Sequence, residues 1–145
     1  MSIAHADVLL VEDNSTDVAV ALRAFRRHAM EDRVKVLRDG AEVVEYLLGE
    51  TQRDDGPPPH PKVILLDLKM PRMDGRAVLR QLRADSRTRH IPIVIVSSSD
   101  REIDVRDCYV LGANSFVVKQ FDPMRPGEYL VDTARYWLET NEVPR

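Results

Sequence analysis

Four groups of residues with chemical potential stand in this sequence, each directly after a short apolar run. Glu12 and Asp13 follow residues 8–11, Asp67 follows 63–66, Ser97, Ser98 and Ser99 follow 93–96, and Lys119 follows 116–118. Three carboxylates brought together repel one another and need a cation to coexist as ions. With oxygen ligands only and no histidine or cysteine beside them, the natural partner is a hard ion such as Mg2+. Lys119 adds a positive point charge suited to phosphoryl oxygens, and Ser97 adds a hydroxyl donor. A carboxylate, a metal, a lysine and a hydroxyl are the parts for phosphoryl transfer to Asp67, where positioning and charge neutralisation do most of the catalysis.

That chemistry needs elements that gather the four groups. The apolar runs at 8–11, 34–37, 63–66, 93–96 and 116–118 are β-branched or leucine-rich, and continuous apolarity suits strands buried on both faces of a parallel sheet. Between them the spacing is helical. Val18, Leu22, Phe25 and Ala29 form one stripe, Val43, Val44, Leu47 and Leu48 a second, and Val78, Leu79 and Leu82 a third. Ile103, Val110 and Leu111 mark a fourth, and Leu130, Ala134, Trp137 and Leu138 the last. A strand–helix alternation repeated five times predicts an α/β, doubly wound, flavodoxin-like fold: a parallel five-stranded sheet flanked by helices. In such a sheet, ligands bind outside the carboxyl ends of the strands, where the four groups fall.

Local signals agree. Asn14-Ser15 can cap the first helix, and Asp74-Gly75 makes a turn before the third. Pro92 opens the fourth strand, where a missing N–H is tolerated. Residues 49–61, with three successive prolines, read as an exposed loop that is mobile and dispensable for phosphorylation.

Composition bounds the function classes. At 145 residues the chain suits one domain with a real core, and 43% apolar with 31% charged residues is typical of a soluble globular protein. The net charge of -3 offers no basic excess, so direct DNA binding is not expected. Nothing is long enough to span a membrane, and residues 1–7 lack a secretory pattern. A single cysteine, Cys108, fits a reducing interior, and the cytoplasm is the expected location. His5, His28, His60 and His90 share no ligand spacing and read as separate surface residues.

At these positions the chain closely resembles the response-regulator receiver family over nearly its whole length. The matching pieces are Leu10-Val11-Glu12-Asp13-Asn14, the stretch 65–75 around Asp67, the stretch 91–97 ending in Ser97, and the stretch 112–119 ending in Lys119. The resemblance implies that Glu12 and Asp13 hold Mg2+ and that Asp67 is both phosphoacceptor and metal ligand, with the Lys69 backbone carbonyl a further ligand. It makes Ser97 the hydroxyl that moves toward the phosphoryl group and Lys119 the lysine that pairs with its oxygens. Ser98 and Ser99 read as loop residues whose backbone N–H groups could cradle the phosphoryl. Phe116 has two readings, plain core packing and an aromatic switch that follows Ser97. The family takes phosphate from a histidine kinase and catalyses only its own phosphorylation and dephosphorylation, so no enzyme acting on a separate substrate is implied. One departure is Gln120, which stands after Lys119 where the family has a proline with a cis peptide. A cis bond without proline costs about 2.5–4 kcal/mol, so either that cost is offset or the loop changes path.

A narrower resemblance points to single-domain regulators encoded with bacterial and cyanobacterial phytochromes. It rests on the long loop before the third strand, Asp74-Gly75-Arg76, the non-proline after Lys119, and the ending Trp137-Leu138-Glu139-Thr140-Asn141-Glu142-Val143-Pro144. The expectation is one receiver domain over 1–145 with a helical extension from about 137, a phytochrome-type kinase, and no effector domain. A homodimer is expected through the fifth helix and extension, because Tyr129, Val131 and Tyr136 lie off the core stripe. Two other classes fit the residues less well. A haloacid-dehalogenase hydrolase wants a second Asp two residues after the nucleophile, where this chain has Lys69. A pseudo-receiver that only binds partners would have no need of all the acidic ligands and Lys119.

Overall fold

The structure is a computed structural model that describes residues 6–49 and 60–144. Strands and helices alternate: β1 (Val8–Val11), α1 (Ser15–Arg27), β2 (Val34–Leu37), α2 (Gly40–Leu48), β3 (Val63–Asp67), α3 (Gly75–Ala84), β4 (Ile93–Ser97), α4 (Glu102–Leu111), β5 (Ser115–Val118) and α5 (Glu128–Arg135). The strands pair in the order β2-β1-β3-β4-β5, all parallel, so the doubly wound expectation holds.

The continuous apolarity of the strands has a direct cause. Alternate residues of a strand point to opposite faces. Leu9, Val11, Ile64, Leu66, Ile93 and Ile95 pack with Val43, Leu47, Val78, Leu79, Leu82 and Cys108 from α2, α3 and α4. Val8, Leu10, Val63, Leu65, Val94 and Val96 pack on the other face with Ala21, Ala24, Phe25, Leu130, Val131 and Ala134 from α1 and α5. Burying one such side chain stabilises the fold by roughly 1.5–3 kcal/mol. The edge strands β2 and β5 depart from the expectation of burial on both faces. Each has one neighbour, and Lys35 and Val118 are exposed.

Helix starts follow from short polar side chains. The N–H groups of Asp17, Glu42 and Ala77 donate to the side chains of Asn14, Asp39 and Asp74 at 2.9, 2.9 and 3.0 Å. Gly112, at φ 110°, ends α4 in the left-handed conformation, with the Ala113 N–H on the Cys108 carbonyl at 2.9 Å.

The expectations for α4 and α5 are corrected. On α4 the inward residue is Cys108, while Ile103 and Val110 are 48% and 79% exposed. At 100° per residue those two lie on the side of the helix opposite Cys108, so they form no core stripe with Leu111. On α5, Val131 is fully buried beside Leu130 and Ala134, because a core-facing stripe is wider than one row of side chains. Tyr129 is half-buried on the same core, so Tyr136, at 50% exposure, is the one aromatic of the three left outside. The last helix also changes register. Residues Tyr136–Thr140 form a π turn closed by the Asn141 N–H on the Tyr136 carbonyl at 2.7 Å, and Trp137 and Leu138 pack partly against the core.

Of the described histidines, His60 and His90 are exposed as expected but not separate, and His28 is half-buried. His60 and His90 precede the neighbouring strands β3 and β4 and meet, Nδ1 to Nε2, at 3.2 Å. His28 is half-buried between Glu128 Oε1 at 2.7 Å and Arg135 Nη2 at 3.1 Å. His5 and residues 50–59 of the expected loop lie outside the described residues. No helix among the described residues is long and apolar enough to cross a membrane.

Candidate functional site

Strand register brings the four groups to one edge. Val11 pairs with Leu66, Asp67 with Val96 and Ser97 with Val118, so the residues that follow leave the sheet side by side. Lys119 is drawn in by its N–H on the Ser97 carbonyl at 2.8 Å. The edge is closely built around Asp67. A Cβ at Gly75 would lie 2.5 Å from the Asp67 carbonyl oxygen, so glycine is what lets α3 start there.

Carboxylate oxygens of Glu12, Asp13 and Asp67 all lie within 4.8 Å of one another, and Glu12 and Asp67 are buried. The Lys119 ammonium sits 2.7 Å from Glu12 Oε1, 3.0 Å from Asp17 Oδ2 and 3.6 Å from Asp67 Oδ2. The Asn14 N–H donates to Glu12 Oε2 at 3.0 Å, and the Lys69 N–H to Asp67 Oδ1 at 3.3 Å.

Burial and the adjacent Glu12 carboxyl push Asp67 up to about 7. For Glu12, burial is outweighed by hydrogen bonds with Asp67, Lys119 and the Asn14 N–H, which hold it below the usual carboxylate range. For Lys119, burial is likewise outweighed, by the bonds to Glu12 and Asp17 and the charge of Asp67, and its ammonium is held well above the ordinary lysine range. The donor set therefore fits a hard divalent cation. It is all oxygen, carries up to three negative charges against one ammonium, and is short of positive charge.

Residues 8–128 match the family model of the response regulator receiver domain. The chain belongs to the response regulator receiver family. It is 34% identical over 137 residues, 94% of this chain and 86% of the other, to the probable methanogenesis regulatory protein FilR2 of Methanothrix harundinacea. It is 29% identical to response regulator Rcp1 of Synechocystis over 94% of this chain and 92% of that one. The Mn2+-bound crystal structure of Rcp1 superposes with a TM-score of 0.82 over 95% of this chain and 98% of that one. The phosphorylated cyanobacterial phytochrome response regulator RcpA superposes with a TM-score of 0.84 at 32% identity, over 98% of this chain and 100% of that one.

Within this receiver, the structure brings together Glu12, Asp13, Asp67 and Lys119 as expected. Ser97 is buried at the end of β4, with its hydroxyl oxygen accepting the Ser99 N–H at 3.1 Å. Ser98 is exposed beside it, and Phe116 is partly buried against the α2–α4 side of the core. Lys69 is exposed, and its N–H faces Asp67. No peptide bond among the described residues is cis, so the segment after Lys119 takes a different path rather than offsetting a cis Lys119–Gln120 bond.

Asp17 is the residue that motif reading passed over. It lies in the first turn of α1, which starts at the same edge, and its Oδ2 reaches the Lys119 ammonium. A second omission is the set formed by Arg76, Ser99 and Asp104, which no linear spacing announces.

Proposed function

We propose that this chain works as a single receiver that accepts a phosphoryl group from a sensor histidine kinase on Asp67, with Mg2+, and signals by a change of shape or of pairing. The observation that supports this most is the meeting of three carboxylates within 4.8 Å, with the Lys119 ammonium 3.6 Å from Asp67 Oδ2. An Asp67 oxygen attacks phosphorus in line; an O–P bond forms, the N–P bond to the kinase histidine breaks, and its electron pair returns to the imidazole. Mg2+, when held by Glu12, Asp13, Asp67 and the Lys69 carbonyl, supplies charge neutralisation for the carboxylates and the phosphoryl oxygens. Lys119 needs only to leave Glu12 and Asp17 to reach a phosphoryl oxygen. The Ser97 hydroxyl and the Ser98 N–H offer donors from the β4 side, and Phe116 follows Ser97 inward. The chain then catalyses only its own phosphorylation and dephosphorylation.

The kinase we assign is of the phytochrome type. The names of RcpA and the ending shared with phytochrome-associated regulators support it. FilR2, whose name points to methanogenesis, is similar at a comparable level, so identity alone does not separate the two inputs. We further assign pairing of two copies to α5 and the segment from about 137, where Tyr136 stands exposed. The net charge of -3 disfavours DNA as a direct partner, and the buried thiol of Cys108 suits a cytoplasmic setting.

A panel of histidine kinases, a phytochrome kinase among them, tests the input. Mg2+-dependent label on wild type and none on Asp67→Asn is expected, and undiminished label on Asp67→Asn would overturn the site. Sedimentation of wild type and Tyr136→Ala, with and without beryllofluoride, tests the pairing; a wild-type monomer in both states would end it.

A further inference from the structure

We infer that Arg76 and Asp104 are positioning residues for Ser97, holding it in a resting place through Ser99. The inference rests on the phosphoacceptor reading of Asp67 and names what regulates closure of that site.

Ser97 is 1% exposed, and its Oγ accepts the Ser99 N–H at 3.1 Å. The Ser99 hydroxyl donates to Asp104 Oδ2 at 2.5 Å and accepts the Arg101 N–H at 3.2 Å. The other Asp104 oxygen, Oδ1, takes Arg76 Nη2 at 2.6 Å. Both oxygens of one carboxylate are thus engaged, one toward the β4–α4 loop and one toward α3. The pair is shielded, with side-chain exposures of 25% for Arg76 and 13% for Asp104. The Ser99 hydroxyl and the Arg76 guanidinium hold the Asp104 carboxyl below its usual range.

The two ends of this chain of bonds differ in how firmly they are held. Arg76 is in the first turn of α3, whose start is pressed on the Asp67 carbonyl at Gly75 and whose Val78, Leu79 and Leu82 are fully buried. Asp104 is in the first turn of α4, where Cys108 is the one buried residue. Apolar packing therefore fixes the Arg76 end and does little for the Asp104 end, so the polar bonds tie α4 and the loop to α3. Ser97 cannot move toward a phosphoryl on Asp67 and keep the Ser99 N–H unless Ser99 travels too. Ser99 cannot travel far while Asp104 is held by Arg76. Cutting the chain of bonds lowers the cost of that movement and favours the closed site.

Isothermal titration with beryllofluoride in saturating Mg2+ tests this on wild type, Asp104→Asn, Ser99→Ala and Arg76→Gln. Expected is binding about three- to tenfold tighter in each variant, the net scale of one hydrogen bond exchanged for bonds to water. The affinity for Mg2+ alone stays at the wild-type value, which a merely structural defect would not preserve. The double variant Asp104→Asn/Arg76→Gln should bind no tighter than Asp104→Asn, because both changes break one link. Unchanged or weaker beryllofluoride binding in Ser99→Ala and Asp104→Asn, with wild type binding normally, overturns the positioning role alone. Wild type that fails to bind beryllofluoride defeats the Asp67 reading and this inference with it.

Discussion

The β1–β3 half of the molecule and the α4–β5 half are built to different standards. Every residue of β1 and β3 is buried, and Asp67 is fixed at the end of a strand with neighbours on both sides. Across the sheet, α4 buries Cys108 alone, β5 is an edge strand, and Ile103, Tyr109, Val110 and Val118 remain exposed. A carboxylate that must meet an incoming phosphorus within a fraction of an ångström belongs on the rigid half. A surface that must change when the site fills belongs where little buried contact opposes the change. Under the proposed function, this difference in packing separates chemistry from readout, with Ser97 at the boundary.

The difference can be broken from either side. Leu66→Ala, in β3, should cost about 2–5 kcal/mol of stability in urea unfolding, because the surrounding core cannot collapse onto the space. A smaller loss would show that the rigid half is less tightly packed than its burial implies. At the chemical end of the same strands, Asp13→Asn should weaken Mg2+ binding by about tenfold or more, since the remaining carboxylates supply less charge.

The Glu12–Asp67 pair adds a pH dependence. Asp67 is raised to about 7 by burial and by Glu12, so below that pH it holds a proton that a bound cation must displace. Mg2+ affinity should therefore fall by about tenfold for each pH unit below about 7 and level off above it, as read by titration between pH 5 and 8. A flat profile would mean that the pair is already ionised. The smallest effect belongs to the loosely packed half. Val110→Ala should change stability by less than about 0.5 kcal/mol, because the side chain it shortens is 79% exposed.

Much of the fold and of the site is legible in the sequence. Strand cores buried on both faces leave unbroken apolar runs, and those of β1, β3 and β4 announced themselves within a residue of their ends. The site was legible for the same reason, since Glu12, Asp67 and Ser97 terminate or follow those runs and Lys119 follows the shorter run of β5. What sequence could not show depends on rotation about a helix axis and on contacts between distant segments. Three apolar residues on α4 suggested a stripe, yet the helix turns the small Cys108 inward and Ile103 and Val110 outward. Val131 looked spare because a single row through Leu130 and Ala134 seemed to satisfy the sheet, whereas the core takes a broader face of α5. The Asp17–Lys119, His60–His90 and Arg76–Asp104 contacts join positions that only the parallel crossovers bring side by side.

The most direct test of the division between chemistry and readout is hydrogen exchange of wild type and Asp67→Asn, each with Mg2+ and with or without beryllofluoride. In wild type, exchange should change in residues 98–101, α4 and β5 and stay constant in β1 and β3, and Asp67→Asn should show no change anywhere. A response centred on β1 and β3, or the same response in Asp67→Asn, would contradict the assignment of chemistry to Asp67 and of readout to the α4–β5 side.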